Sequence, residues 1–261
     1  MRDHHQKAVD RLVALFEPDP RYVALLLCGS IARGWDRDDS DVDIILVATD
    51  AEYARRAATN HVSYFNTELA GYPGGYIDGK IVNRAFLAEV AEQGTEPARS
   101  AFVGAEAVFT HDPTIPDLLR QIVVYPEEGR QSKIESFYAQ VEAMRWYMGE
   151  AEKRQDRYLA THVAADLVLF GGRLILAHNR LLYPYHKHFM RVLQEASERP
   201  ADLPDLIDAV LTRPCAETAN RFAGAVLAFA DWAKPAEGWG ARFMYDIEWA
   251  WRRNATAVAD R

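Results

Sequence analysis

Hydrophobic positions are distributed in two different ways along the chain. Up to about residue 125, short apolar runs stand between polar turns. Ala8, Leu12, Val13, Leu15 and Phe16 recur at helical spacing before Pro18 and Pro20, which predicts an opening helix over His4–Phe16. Tyr22–Cys28 is a continuous apolar run of strand length and Val42–Val47 a second one that begins inside an acidic cluster, the pattern of strands covered on both faces. Ala51–Ala58 reads as a helix, and His61–Asn66 and Tyr76–Val82 read as strands on either side of the turn Gly71-Tyr72-Pro73-Gly74-Gly75. Asn83 is placed to cap a helix over Arg84–Gln93. Beyond Tyr125-Pro126 the period becomes 3.6 residues. Ile134, Phe137, Tyr138, Val141, Met144 and Met148 form one stripe, and Leu159, Val163, Leu167, Phe170 and Leu174 form another. Further helices are predicted at Tyr185–Ala196, Pro204–Thr212, Glu217–Ala233 and Arg242–Arg253. The expected fold class is therefore α+β: a small mixed-sheet domain over 1–125, then an all-helical bundle over 126–261.

Composition narrows the classes further. With 49% hydrophobic and 26% charged residues over 261 positions, the chain can bury a core and is not a disordered sequence. The uncharged apolar stretches Val23–Cys28 and Ala223–Ala230 are far shorter than the ~20 residues of a membrane span. No membrane association is expected. Met1-Arg2-Asp3-His4-His5 leads directly into the first helix without a signal-peptide core, and the two cysteines, Cys28 and Cys215, suit a reducing compartment; the expected location is cytoplasmic. Thirty basic against 38 acidic side chains leave a net charge of −8, which argues against nucleic acid as a partner and favours a cationic small molecule.

The candidate chemistry lies in Leu25-Leu26-Leu27-Cys28-Gly29-Ser30-Ile31-Ala32-Arg33-Gly34 and the following Asp36-Arg37-Asp38-Asp39-Ser40-Asp41-Val42-Asp43-Ile44-Ile45. Gly29-Ser30 ends a buried strand and opens a short helix, so amides and a hydroxyl are presented where a phosphate is well received. Asp41 and Asp43 alternate with Val42 and Ile44, which puts two carboxylates on one face of a strand ~7 Å apart. Their mutual repulsion is relieved by a hard divalent cation such as Mg²⁺. A solvated acidic loop accounts for Asp36, Asp38 and Asp39, but not for two aspartates intercalated with core residues.

An apolar strand, Gly-Ser, ten residues, then Asp, an apolar residue, Asp and an apolar run resembles the signature of the DNA polymerase beta nucleotidyltransferase superfamily. The two-domain layout resembles that of aminoglycoside nucleotidyltransferases. The resemblance implies an enzyme that transfers a nucleoside monophosphate, AMP from ATP or the equivalent from another NTP, to a hydroxyl of a small, aminoglycoside-like molecule. It implies that Gly29, Ser30, Arg33 and Ser40 contact the triphosphate and that Asp41 and Asp43 bind Mg²⁺. A third carboxylate is usual on a neighbouring strand. Asp78, facing the same side as Lys80 while Ile77 and Ile81 face the core, is the choice here; Asn83 in that place is the alternative, and Glu68 and Glu89 are weaker ones. In the helical half, Gly171-Gly172-Arg173 and Tyr183-Pro184-Tyr185-His186-Lys187 resemble the stretch that closes over the nucleotide, with Arg173 and Lys187 gripping phosphates. A glycine pair within a helix points either to close packing or to a nearby ligand. Glu135, Glu142 and Asp78 are candidates for the general base, and the sequence singles out none of them. Two other functions fit the same residues: a nucleotide sensor or scaffold without catalysis, and a protein-modifying nucleotidyltransferase.

Overall fold

A computed structural model describes residues 1–254 and 258–260. The chain divides into two compact units, Met1–Val124 and Tyr125–Arg261, and its architecture is α+β: a mixed sheet with helices in the first, helices alone in the second.

The first unit runs α1 (Asp3–Phe16), β1 (Tyr22–Leu27), α2 (Gly29–Ala32), β2 (Val42–Ala48), α3 (Asp50–Ala57), β3 (Ser63–Asn66), β4 (Ile77–Asn83), α4 (Arg84–Gln93), α5 (Glu96–Ser100), β5 (Glu106–Thr110) and α6 (Ile115–Ile122). The strands form one sheet in the order β3-β4-β2-β1-β5. β2 and β4 are parallel, and the other neighbours are antiparallel. β1 and, beyond Asp43, β2 read as apolar runs because both faces of the sheet are covered. Leu25, Leu27, Val42, Ile44, Leu46, Ile77 and Ile81 pack on Ala8, Val9, Leu12 and Phe16 of α1. Ala24, Leu26, Ile45, Val47 and Val82 pack on Leu87 and Val90 of α4 and on Ile115, Leu118, Leu119 and Ile122 of α6. Strand side chains alternate between faces, so Asp43 shares the second face with Ile45 and Val47, and Asp78 and Lys80 share it with Val82. That face is thus apolar under the helices and carboxylate-lined at one end.

β5, α5 and α6 are additions to the elements expected from the sequence. Arg99, buried on α5, ties this corner together by donating to the carbonyls of Ala91, Glu92, Gly94, Ile122 and Val124. Those oxygens lie at or beyond the C-terminal ends of α4 and α6, where a helix leaves carbonyls unsatisfied.

The second unit is built on two long helices, α7 (Arg130–Arg154) and α8 (Arg157–His178), joined by Gln155 in the left-handed conformation and by Asp156, whose side chain accepts from Leu159 N. α9 (Phe189–Glu195), α10 (Leu203–Thr212), α11 (Ala216–Phe229) and α12 (Trp239–Asp246) complete the described helices. The helix expected over Tyr185–Ala196 is shorter: Tyr185 has φ 65, one 3₁₀ turn spans His186–His188, and the α-helix begins at Phe189. The expected helix to Ala233 ends at Phe229, where Ala230 is extended, and the one to Arg253 breaks after Asp246. By length and composition alone α8 is apolar enough to cross a membrane, but 67% of its most apolar window is buried within the structure, as in a core helix. Gly171 and Gly172 on this helix answer the packing alternative. A Cβ at Gly171 would lie 2.6 Å from Phe222 of α11, and one at Gly172 would lie 2.3 Å from Phe189 of α9.

Candidate functional site

β1 delivers the chain to the carboxylate end of the sheet, where Cys28 N donates to the Asp43 carbonyl at 2.9 Å. Gly29 follows with φ +66, a left-handed conformation in which a side chain is strained. A Cβ there would lie 1.8 Å from Asp43 Oδ2 and 2.7 Å from Asp43 Cβ. The Gly-Ser turn therefore rests directly on the Asp43 side chain, and only glycine permits that approach. Ser30 sits in the single turn of α2, and its carbonyl accepts from Trp35 N at 2.8 Å.

Between α2 and β2, the acidic loop sorts into two sets. Asp36 and Asp38 pair with Arg2 at 3.4 and 3.1 Å, and Asp39 pairs with Arg37 at 2.9 Å. Buried His5 places Nδ1 3.5 Å from Asp36 Oδ2, and burial lowers its pKa, with His4 adding to the effect. These contacts anchor the loop to the start of α1. Ser40 is buried; its hydroxyl accepts from Arg37 N at 2.9 Å and its carbonyl accepts from Tyr72 Oη at 2.7 Å. Expected on the phosphates, Ser40 has its hydroxyl turned into the loop it shapes. Arg33, also expected there, donates to the carbonyl and, at 2.9 Å, to the hydroxyl of Ser100, and lies 4.9 Å over the Trp35 ring.

Asp41, immediately before β2, belongs to the second set with Asp43 and Asp78. Asp43 and Asp78 are register partners on the parallel strands β2 and β4, side by side on one face. The Tyr76 phenol donates to Asp41, and its pKa is raised by that bond and the Asp41 charge first, then by burial, Asp43 and Asp78. The Tyr76 hydroxyl is thus bonded to one carboxylate and feels the charge of two more. Cys28, behind them, has its thiol pushed up to about 12 by burial and then by Asp43, against the opposing charges of Lys80 and Arg33. Among the described residues, no three Asp, Glu, His or Cys side chains are placed to hold a metal ion together, so Asp41, Asp43 and Asp78 do not form a three-ligand site.

Asn83 pairs with Ala48, at the far end of the β2–β4 ladder from Asp43 and Asp78. Five residues of strand put it ~16 Å away. Its side chain caps α4 by accepting from Phe86 N at 3.0 Å and donates to Asp50 at 2.9 Å. It does not occupy the position of a third acid. Glu68 and Glu89 are exposed, outside the strands.

Arg173 and Lys187 lie in the second unit. Arg173 has no exposed surface; its guanidinium is held between the rings of Phe137, at 4.4 Å, and Tyr183, at 4.3 Å, and donates to the Ala259 carbonyl. This corrects the expectation of a phosphate contact, because the charge is enclosed by its own helices and aromatic rings. Lys187 is exposed on the 3₁₀ turn. Glu135 pairs with Arg242 at 3.4 Å and Glu142 with Arg145 at 3.6 Å, so both candidate bases on α7 are engaged in local ion pairs.

Two residues at the carboxylate end were absent from the expected site, Tyr76 and Lys80. Both share the parity of Asp78 on β4, a signal present in Tyr76-Ile77-Asp78-Gly79-Lys80.

No protein-family model matches the chain, and no curated protein matches it. Among solved structures it is similar to a nucleotidyltransferase-like protein from Exiguobacterium sibiricum, with 12% identity and a TM-score of 0.48, over 85% of this chain and 72% of that one.

Proposed function

We propose that the chain is a Mg²⁺-dependent nucleotidyltransferase that transfers a nucleoside monophosphate, AMP from ATP in the first instance, to a hydroxyl of a small molecule. The observation that carries this reading is the side-by-side pairing of Asp43 and Asp78 beneath a glycine turn that touches the Asp43 carboxylate.

The donor set suits the ion. Asp41 and Asp43 offer only hard oxygens, and Mg²⁺ is commonly bound by one or two carboxylates with substrate phosphates and water completing its shell, so the group of three protein ligands that the described residues do not form is not required. When bound, Mg²⁺ supplies neutralisation of the triphosphate charge and polarisation of the acceptor oxygen. The chain's own residues do the rest. Asp41 and Asp43 hold the ion, and the Gly29-Ser30 turn orients the phosphates against Asp43. Lys80, two residues beyond Asp78 on the same face, balances phosphate charge. Asp78 takes the proton from the acceptor hydroxyl. The acceptor oxygen then bonds to the α-phosphorus as the α–β bridging bond breaks, and pyrophosphate leaves with that bonding pair.

Pyrophosphate release from ATP in the presence of a pool of polyhydroxylated amines tests the assignment. Asp78→Asn is expected to lower the rate at least ~100-fold, the scale of a lost general base. Asn83→Ala is expected to leave the rate within about twofold while costing ~1 kcal/mol of stability, the worth of a helix cap. A rate that falls with Asn83→Ala and survives Asp78→Asn contradicts the assignment.

A further inference from the structure

The helical unit carries a pocket of about 410 Å³, open to solvent on one side, between α7, α8 and α12. Tyr147, Phe170 and Phe243 supply aromatic wall, and Gln140, His162 and Asp166 are the polar side chains among its lining residues. None of the lining residues is Lys or Arg.

Two of these polar groups are poorly accommodated by the protein alone. Gln140 has no exposed surface, and neither its amide oxygen nor its nitrogen has a hydrogen-bond partner among the described residues. A buried amide in that state is costly, and isolated instances in native structures call for a missing partner. Asp166 carries the negative charge of the cavity, with His162 Nε2 3.4 Å from its Oδ2. Burial pushes the Asp166 carboxyl up, opposed by His162 and His186, so the carboxylate is only partly compensated. A wall of aromatic faces beside an under-compensated carboxylate favours a cation with an apolar body.

We infer that this cavity binds a small organic ammonium ion, its charge against Asp166, its apolar body among Tyr147, Phe170 and Phe243, and a hydroxyl of the ligand hydrogen-bonded to Gln140. All the groups involved lie in the helical unit, so the inference is independent of the nucleotide reading. The cavity volume falls within the range of small-molecule pockets.

Calorimetric titration of the full chain with tyramine, 2-phenylethylamine and 4-ethylphenol separates the contributions, because the second lacks the hydroxyl and the third lacks the ammonium. Tyramine is expected to bind tightest, and 4-ethylphenol at least ~10-fold more weakly. Asp166→Asn is expected to weaken both amines ~10-fold. Gln140→Leu is expected to bring tyramine to the affinity of 2-phenylethylamine, to leave the latter unchanged, and to hold or raise the melting temperature of the unliganded chain. Gln140→Met, closer in shape, carries the same test if the leucine variant melts early. Tyramine binding weaker than about 10 mM, equal affinity for 4-ethylphenol, or indifference of tyramine to both substitutions overturns the inference.

Discussion

Gly29→Ala is expected to destabilise the first unit by ~2–4 kcal/mol, the combined scale of a strained left-handed residue and an overpacked contact, and to remove nucleotide binding with it. The added Cβ falls 1.8 Å from Asp43 Oδ2 and 2.7 Å from Asp43 Cβ, so rotating the carboxylate aside does not relieve the overlap. Either β2 shifts or the Gly-Ser turn lifts, and each movement separates the turn proposed to face the phosphates from the acid proposed to hold the metal. Gly34→Ala is the matched control. Gly34 has φ +69, yet a Cβ there meets nothing within 4 Å, so only the conformational cost of ~1 kcal/mol is expected. Urea denaturation of both variants measures the difference. Equal losses would show that the contact with Asp43 is not a constraint.

Arg99→Ala is expected to cost ~3–5 kcal/mol, the scale of breaking a buried charged network. The guanidinium donates to five carbonyls, from Ala91 O at 2.8 Å to Val124 O at 3.5 Å, and only 5% of the residue is exposed. Truncation leaves buried acceptors at the ends of two helices without donors. Arg99→Lys is expected to recover less than half of the loss, because a single ammonium cannot reproduce the planar fork that reaches both helix ends. A loss below ~1 kcal/mol on denaturation contradicts the role given to Arg99.

Much of the carboxylate end was legible in the sequence because strand parity is a local property. Asp43 among Val42, Ile44 and Ile45, and Asp78 between Ile77 and Gly79, announce which face each carboxylate takes. Their pairing is not local: the register of β2 against β4 depends on how the 28 residues 49–76 return the chain, and no single side chain specifies it. The helices α5 and α6 do carry a signal, in Thr95-Glu96-Pro97 and Thr114-Ile115-Pro116, where a proline stands within the first helical turn. β5 pairs only with β1 at the sheet edge, and its residues Glu106–Thr110 lack the continuous apolar run that marks β1 and β2. Arg173 is the instructive miss. A basic residue on an apolar helix reads as a ligand for anions, whereas Phe137 and Tyr183, 36 residues before it and 10 after, close around it in the core. Cation–π contact lets such a charge sit in a core, and no sequence spacing announces that arrangement.

If Asp43 holds a metal ion that in turn holds a nucleotide, as proposed, a thermal-shift titration of the full chain and of Asp43→Asn with each NTP, with and without Mg²⁺, shows it. Ligand at about 100 times Kd stabilises by ~2.7 kcal/mol, a rise of a few degrees. The wild-type chain is expected to show that rise with at least one NTP only when Mg²⁺ is present. Asp43→Asn is expected to show no rise with any nucleotide. A rise that persists in Asp43→Asn, a rise indifferent to Mg²⁺, or no rise with any NTP contradicts the account.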